Sequence, residues 1–237
     1  MAGKKKEKPS HSEIEQELKI QLSPRDLEKV FRTLKKKAIG KKVEHKYMPR
    51  AYYDTPDLEL YRNAISVRMQ YKPGKSGKIG GYEQTVKFDL PHGATVAKGA
   101  FFRKECKDML KGHKPQLALI SDTEGRAIAR SFHNKKVIHI FTAAVERRSF
   151  ELKSGGGKKR GIVEVAFDVG EIILDSNGRH YPFSEIEIEM VKGSAEAILA
   201  IEKKIRRIAR SARVQPLSKA QQGSRLYRRT VHHKRRR

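Results

Sequence analysis

Period-two alternation of charged and apolar residues runs through most of this 237-residue chain. Residues 13–20 set Glu13, Glu15, Glu17 and Lys19 on one side and Ile14, Leu18 and Ile20 on the other, the signature of a strand. The period then changes. Ser23, Pro24 and Asp26 supply an N-cap, a first-turn proline and a first-turn acid. Leu27, Val30, Phe31 and Leu34 follow at i, i+3, i+4 and i+7, which predicts an amphipathic helix ending in Lys35-Lys36-Lys37 near Gly40. Strands resume at 50–54, 64–72, 82–89 and 101–107, with a Gly/Lys/Ser loop at 73–81.

The stretch 113–135 fits one broken helix or two short ones. Segments 137–152, 161–174 and 179–191 read as an antiparallel meander, turned at Ser154-Gly155-Gly156-Gly157 and Asp175-Ser176-Asn177-Gly178. Ile198, Ile201, Ile205 and Ile208 mark a last helix over 194–213. About eight mostly antiparallel strands, with helices after the first strand, mid-chain and near the end, make an α+β chain with one main domain over 13–227.

Charge narrows the function classes. Fifty-three Lys and Arg against 27 Asp and Glu give a net charge of +26, so polyanions lead the candidate partners. The ends, 1–12 and 228–237, carry +3 and +6 and read as basic, flexible, solvated segments; +17 remains on 13–227. One cysteine rules out an internal disulfide framework and suits a reducing compartment. No apolar run has the length of a membrane span, and the start lacks a signal-peptide core. A cytoplasmic protein is expected, and the terminal Lys/Arg cluster also reads as a nuclear address. Without zinc-like Cys/His spacing, a metal would sit on oxygen ligands.

The charged faces hold the candidate chemistry. Glu185, Glu187 and Glu189 repeat the acid row of Glu13, Glu15 and Glu17. Residues two apart on a strand stand about 6.5–7 Å apart on one side, so each row repels itself unless a cation intervenes. Two rows that meet would form a hard-oxygen site for Mg²⁺ or Mn²⁺. The remaining faces are mainly basic, through Arg68, Lys72, Lys87, Arg103, Lys107 and Arg147, while Glu164 and Asp168 oppose Val163, Val165, Phe167 and Val169. Two arrangements stay open. A half-polar strand ordinarily shows its charged side to water; a closed barrel with apolar faces outward under helices would instead line a lumen with acidic ledges and basic walls, suited to a metal-bridged polyphosphate.

Eight segments in order resemble the CYTH domain, or triphosphate tunnel metalloenzyme, family over roughly 13–227. Glu15-Gln16-Glu17-Leu18-Lys19 is similar to its E-x-E-x-K signature, and Tyr53-Asp54-Thr55-Pro56-Asp57-Leu58 to Y-[FY]-D-T-P-x-L. Ile65-Ser66-Val67-Arg68, Thr85-Val86-Lys87, Arg103-Lys104-Glu105, the 164–170 segment, the 185–189 segment and Pro216-Leu217-Ser218-Lys219 resemble its later elements. The resemblance implies an eight-stranded antiparallel closed β-barrel, a tunnel with a charged lumen flanked by helices. It implies Glu15, Glu17, Glu187 and Glu189 as ligands of Mg²⁺ or Mn²⁺, and Lys19, Arg68, Lys87, Arg103, Arg147 and Lys219 as phosphate-binding residues. Glu105 and Asp168 would be second-metal or water-orienting groups. Arg147 is chosen over Arg148 on its spacing from Phe141 and Val145, since neighbours on a strand face opposite ways.

Two departures stand out: Gln70 where the family's basic strand often has a second Arg, and Gln222 in the closing element in place of another. The function implied is metal-dependent hydrolysis of inorganic triphosphate or short polyphosphate. The alternatives are a triphosphatase acting on nucleotide or RNA 5′-triphosphates, with the basic ends and the 203–213 region gripping RNA, and a non-catalytic binder of polyphosphate or nucleic acid. With no Trp in the chain, a ring-bearing substrate would rely on Tyr, Phe or Arg. The absence of a His-Phe pair near the N-terminus argues against a class IV adenylate cyclase.

Overall fold

The structure, a computed structural model, describes residues 11–74, 80–89 and 100–234. The basic start of the chain through residue 10, positions 75–79 of the expected loop and the last three residues fall outside these. Eight strands form the main sheet: β1 (His11–Gln21), β2 (Glu44–Asp54), β3 (Ile65–Lys72), β4 (Gly81–Asp89), β5 (Ala100–Leu110), β6 (Ile138–Ser154), β7 (Gly161–Leu174) and β8 (His180–Gly193). Their hydrogen-bonded order is β5-β4-β3-β2-β6-β7-β8-β1, and β1 pairs back to β5. Every pairing is antiparallel, so the expected eight-stranded barrel is closed. A ninth strand, β9 (Arg213–Val214), lies outside the ring and pairs with Ile20 and Gln21, beyond the point where β5 leaves β1 at Leu18.

The helices are α1 (Pro24–Lys35), α2 (Glu59–Arg62), α3 (Thr123–Ile128), α4 (Glu196–Ile208) and α5 (Lys219–Lys234). In α1 the Ser23 hydroxyl accepts from the Asp26 N–H at 3.2 Å, and Leu27, Val30, Phe31 and Leu34 are buried, as the pattern predicts. They meet Ile198, Ile201 and Ile205 of α4 over the outward apolar faces of β1, β6, β7 and β8. A second outer core gathers Val67, Val86, Phe88 and Cys106 under Leu60 of α2 and the 117–132 region. That region is a broken helix: two 3₁₀ turns, Leu117–Leu119 and Arg130–Phe132, flank α3. The Asp54 carboxylate accepts N–H bonds from Thr55, Leu60 and Tyr61 at 2.7–2.9 Å and so holds the turn into α2. With the apolar faces covered from outside, the alternating charged faces point into the barrel.

Two regions depart most from their patterns. β2 begins at Glu44 rather than at residue 50, because its register with β6 continues to the Glu44–Ser149 pair along a polar stretch. The chain from 228 on, read as a solvated tail, is helical to Lys234 as the second half of α5. α5 packs on β6 and β7, where Gly223 approaches Phe141 so closely that a Cβ there would lie 2.3 Å from the ring. Tyr227 is buried in the same cluster with Phe141, Ala143 and Val145.

Candidate functional site

Strand pairing decides which charges meet. On β1 and β8 the acid rows lie side by side: Glu17 pairs with Glu189 and Lys19 with Glu187. On the other edge of β1, Glu15 pairs with Arg103 of β5, and β5 in turn sets Glu105 beside Lys87 of β4. Across β7, Asp168 faces Glu185 on one side and Arg147 on the other, and Glu164 faces Glu189. These side chains share the interior face, and most of them line one cavity of about 170 Å³. Its wall includes Glu15, Glu17, Glu105, Glu187 and Glu189, with Lys19, Arg50, Arg68, Lys87, Arg103, Lys107, Arg147 and Lys219. Each substrate-binding and metal-binding position read from the sequence is therefore on this wall, as is Glu105; Asp168 lies just behind it, fully buried. The side chain of Glu13, first of the early acid row, is outside the described residues.

Arg147 and Arg148 part as the spacing predicts. The Arg147 guanidinium donates to both Asp168 oxygens at 2.7 Å and also to Glu187. Arg148 points outward, 3.8 Å over the Phe31 ring, and pairs with Glu28 of α1 at 2.7 Å. Lys219, at the start of α5, reaches the interior. Its ammonium donates to Asp168 at 2.7 Å, Glu185 at 2.5 Å and Glu187 at 2.7 Å, and it is 5 % exposed.

Mutual neutralisation holds these buried charges ionised. Burial opposes the Glu187 carboxylate, yet Lys19, Lys219 and Arg147 keep it well below the usual range. Burial likewise opposes Asp168, but Lys219 and Arg147 lower it. Lys87, Arg68 and Lys107 outweigh burial at Glu105 and take it down to about 2. Glu189 behaves differently. Burial and the neighbouring Glu15 charge push it up to about 7, and among the described residues it forms no ion pair.

The fit to a metal ion rests on these donors. Asp168, Glu185 and Glu187 offer carboxylate oxygens within 4.8 Å of one another, an all-oxygen set suited to a hard divalent cation. The Lys219 ammonium spans that cluster. Glu189, beside the Glu15 charge, is a carboxylate with less positive charge than it needs, the electrostatic condition a cation relieves; Glu15 itself is paired with Lys87 at 2.6 Å.

A closed antiparallel barrel with α1 to α4 on its apolar outside and interleaved Glu and Lys/Arg inside defines a charged-tunnel protein. Consistent with this, the CYTH domain family model matches residues 13–224, and the chain belongs to that family. The fold is shared with a candidate adenylate cyclase from Bacillus halodurans, at 19% identity and a TM-score of 0.56, covering 89% of this chain and 97% of that one. It is also shared with the adenylyl cyclase candidate HpAC1 from Hippeastrum, described as having a dominant triphosphatase activity, at 13% identity and a TM-score of 0.54, covering 86% and 92%. No curated protein sequence matches the chain. Among the described residues no helix is long and apolar enough to cross a membrane.

Two interior residues lie outside the predicted set. Glu185 belongs to the late acid row, and its register opposite Asp168 brings it to Lys219. Arg50, in the Tyr-rich 50–54 segment, points inward onto the cavity wall on the same face as Tyr52, and alternation with Ala51 is the signal available for it. Of the two glutamines, Gln222 donates to Glu185 at 3.4 Å and to the Leu217 carbonyl at 3.2 Å, and so ties α5 to the loop before it. Gln70 is buried on the interior face of β3.

Proposed function

We propose that the protein is a divalent-metal-dependent triphosphatase that hydrolyses inorganic triphosphate or short polyphosphate inside the barrel. One observation carries this reading: eight Lys and Arg and five Glu converge on a single interior cavity. The positive excess suits an anion that arrives with its own divalent cation, and a basic outer surface alone would need no buried carboxylates. The Hippeastrum protein of the same fold, with its dominant triphosphatase activity, supports the choice of reaction.

In this reading Glu15, Glu17, Glu187 and Glu189 would hold Mg²⁺ or Mn²⁺. When bound, the cation neutralises charge on the phosphoryl oxygens and acidifies coordinated water. Lys19, Arg68, Lys87, Arg103, Arg147 and Lys219 exchange carboxylate partners for phosphate oxygens and stabilise negative charge on the departing phosphate. Glu105, held near pKa 2, is a weak base at neutral pH. It and Asp168 act by accepting hydrogen bonds from the attacking water, which sets its line of approach.

A second reading, hydrolysis of RNA 5′-triphosphates, is favoured by the exposed Lys203, Arg206, Arg207, Arg210 and Arg213 on and after α4, which suit a phosphate backbone. Phosphate release from tripolyphosphate, ATP and a 5′-triphosphorylated RNA, with Mg²⁺ or Mn²⁺ and with chelator, tests both. Turnover of tripolyphosphate that chelator abolishes is expected. Preference for RNA would select the second reading; metal-free tight binding with no turnover of any substrate would make the protein a polyanion binder.

A further inference from the structure

Arg50 is the one cation of the cavity wall, among the described residues, without a carboxylate within salt-bridge distance. Lys19, Arg68, Lys87, Arg103, Lys107, Arg147 and Lys219 each have at least one. Arg50 is 8 % exposed, its Nε has no hydrogen-bond partner, and its Nη2 donates to the Met48 sulfur at 3.2 Å. A thioether is a weak acceptor, and a guanidinium presents five N–H donors. The charges around it make matters worse: burial, then Arg68 and Arg147, push its pKa down to about 10. A buried cation among cations costs the empty fold stability, and an anion bound there reverses the cost.

Topology says which part of an anion it would meet. In the ring of eight, β2 stands four strands from β1 by either route, so Arg50 lies across the lumen from Glu15 and Glu17. Its neighbours on that side are Arg68 and Arg147, whereas the carboxylate rows belong to β1 and β8. Gln70 stands one step beyond the Ala51–Met69 pair, on the strand beside Arg50, and is neutral. We propose that Arg50 is a substrate-binding residue that takes a phosphate group on the wall opposite the acid rows, and that with Arg68 and Arg147 it forms a three-arginine phosphate clamp. The proposal rests on the triphosphatase reading and adds to it a residue and a direction, with metal toward β1 and β8 and phosphate oxygens toward β2, β3 and β6.

The test compares the full-length wild type with Arg50→Met, Arg50→Lys and the exchange Arg50→Gln with Gln70→Arg. Tripolyphosphate binding is measured in chelator by titration calorimetry, Mn²⁺ binding without phosphate by the same method, and the melting temperature without ligand by circular dichroism. Loss of charge-assisted hydrogen bonds should weaken tripolyphosphate binding by Arg50→Met roughly 10- to 100-fold. Mn²⁺ affinity should stay within about twofold, and the ligand-free melting temperature should stay level or rise, since an apolar side chain relieves the cationic cluster. Arg50→Lys should keep part of the affinity, and the exchange should restore much of it, because Gln70 shares the interior face. If Arg50→Met binds tripolyphosphate as wild type does, the proposal falls. A lowered melting temperature with unchanged affinity across the three variants would make Arg50 a packing residue. Failure of the wild type to bind tripolyphosphate either in chelator or with Mn²⁺ would overturn the triphosphatase reading itself, and the clamp with it.

Discussion

Lys219→Met is the most informative single perturbation of the interior. The ammonium it removes donates to Asp168, Glu185 and Glu187, three carboxylates whose oxygens lie within 4.8 Å of one another. Methionine keeps an unbranched side chain of similar reach but no charge. Arg147 still neutralises Asp168 and Glu187 in part, whereas Glu185 loses its ion pair and retains the long bond from Gln222. Removing one partner of a buried ion pair costs about 3–5 kcal/mol, because the other charge is left without compensation. For a chain of this size each kcal/mol shifts the melting temperature by about 2–4 °C, so a drop of roughly 6–20 °C is expected. The assay is thermal unfolding by circular dichroism at neutral pH in chelator. Adding Glu185→Gln should recover part of the loss, since the stranded charge disappears with it, and the double-mutant cycle isolates the pair. Mg²⁺ should raise the melting temperature of Lys219→Met more than that of wild type, because the ion then takes the place of the ammonium. A variant melting within 2 °C of wild type, or a further loss on adding Glu185→Gln, would refute the electrostatic reasoning.

Four other outcomes follow from the same geometry. Glu187→Gln should abolish triphosphate hydrolysis while leaving the far-ultraviolet circular dichroism spectrum unchanged; retained turnover would remove Glu187 from the metal site. Glu105 is held near 2 against an ordinary 4.5, so it contributes stability above pH 4.5 that is lost as pH falls toward 2. Glu105→Gln should therefore show a shallower acid limb in urea unfolding between those values. Gly223→Ala should destabilise the fold by about 1–3 kcal/mol by overpacking, because the added methyl meets the Phe141 ring; chemical denaturation measures it. Cys106 is buried and its thiol is pushed up to about 12, first by burial, so the native protein should react with thiol reagents at neutral pH far more slowly than the unfolded chain.

The barrel was legible because its strands alternate so plainly: Ile65, Val67 and Met69 against Ser66 and Arg68, or Ile186 and Ile188 against Glu185, Glu187 and Glu189. Alternation cannot tell a charged face in a lumen from one in water, since both leave the same period. The Arg147–Arg148 choice could be made because Arg147 shares a face with Val145, and the register with Asp168 agrees. α5 was not legible past Lys219. The positions it buries include Lys219, Gly223, Ser224 and Tyr227, three of them polar or lacking a side chain, so the helical repeat is carried by close approach rather than by hydrophobicity. Arg50 was hidden by its Tyr-rich surroundings, which look like core, and its role depends on strand order: the ring alone places β2 across from β1.

The most direct test is anomalous diffraction from crystals grown with tripolyphosphate and Mn²⁺. A manganese peak inside the barrel against Glu15, Glu17, Glu187 and Glu189 is expected. The phosphate oxygens should lie on Lys19, Arg68, Lys87, Arg103, Arg147 and Lys219. An empty interior, with tripolyphosphate bound on the outer basic surface around α4, would contradict a triphosphate-binding tunnel.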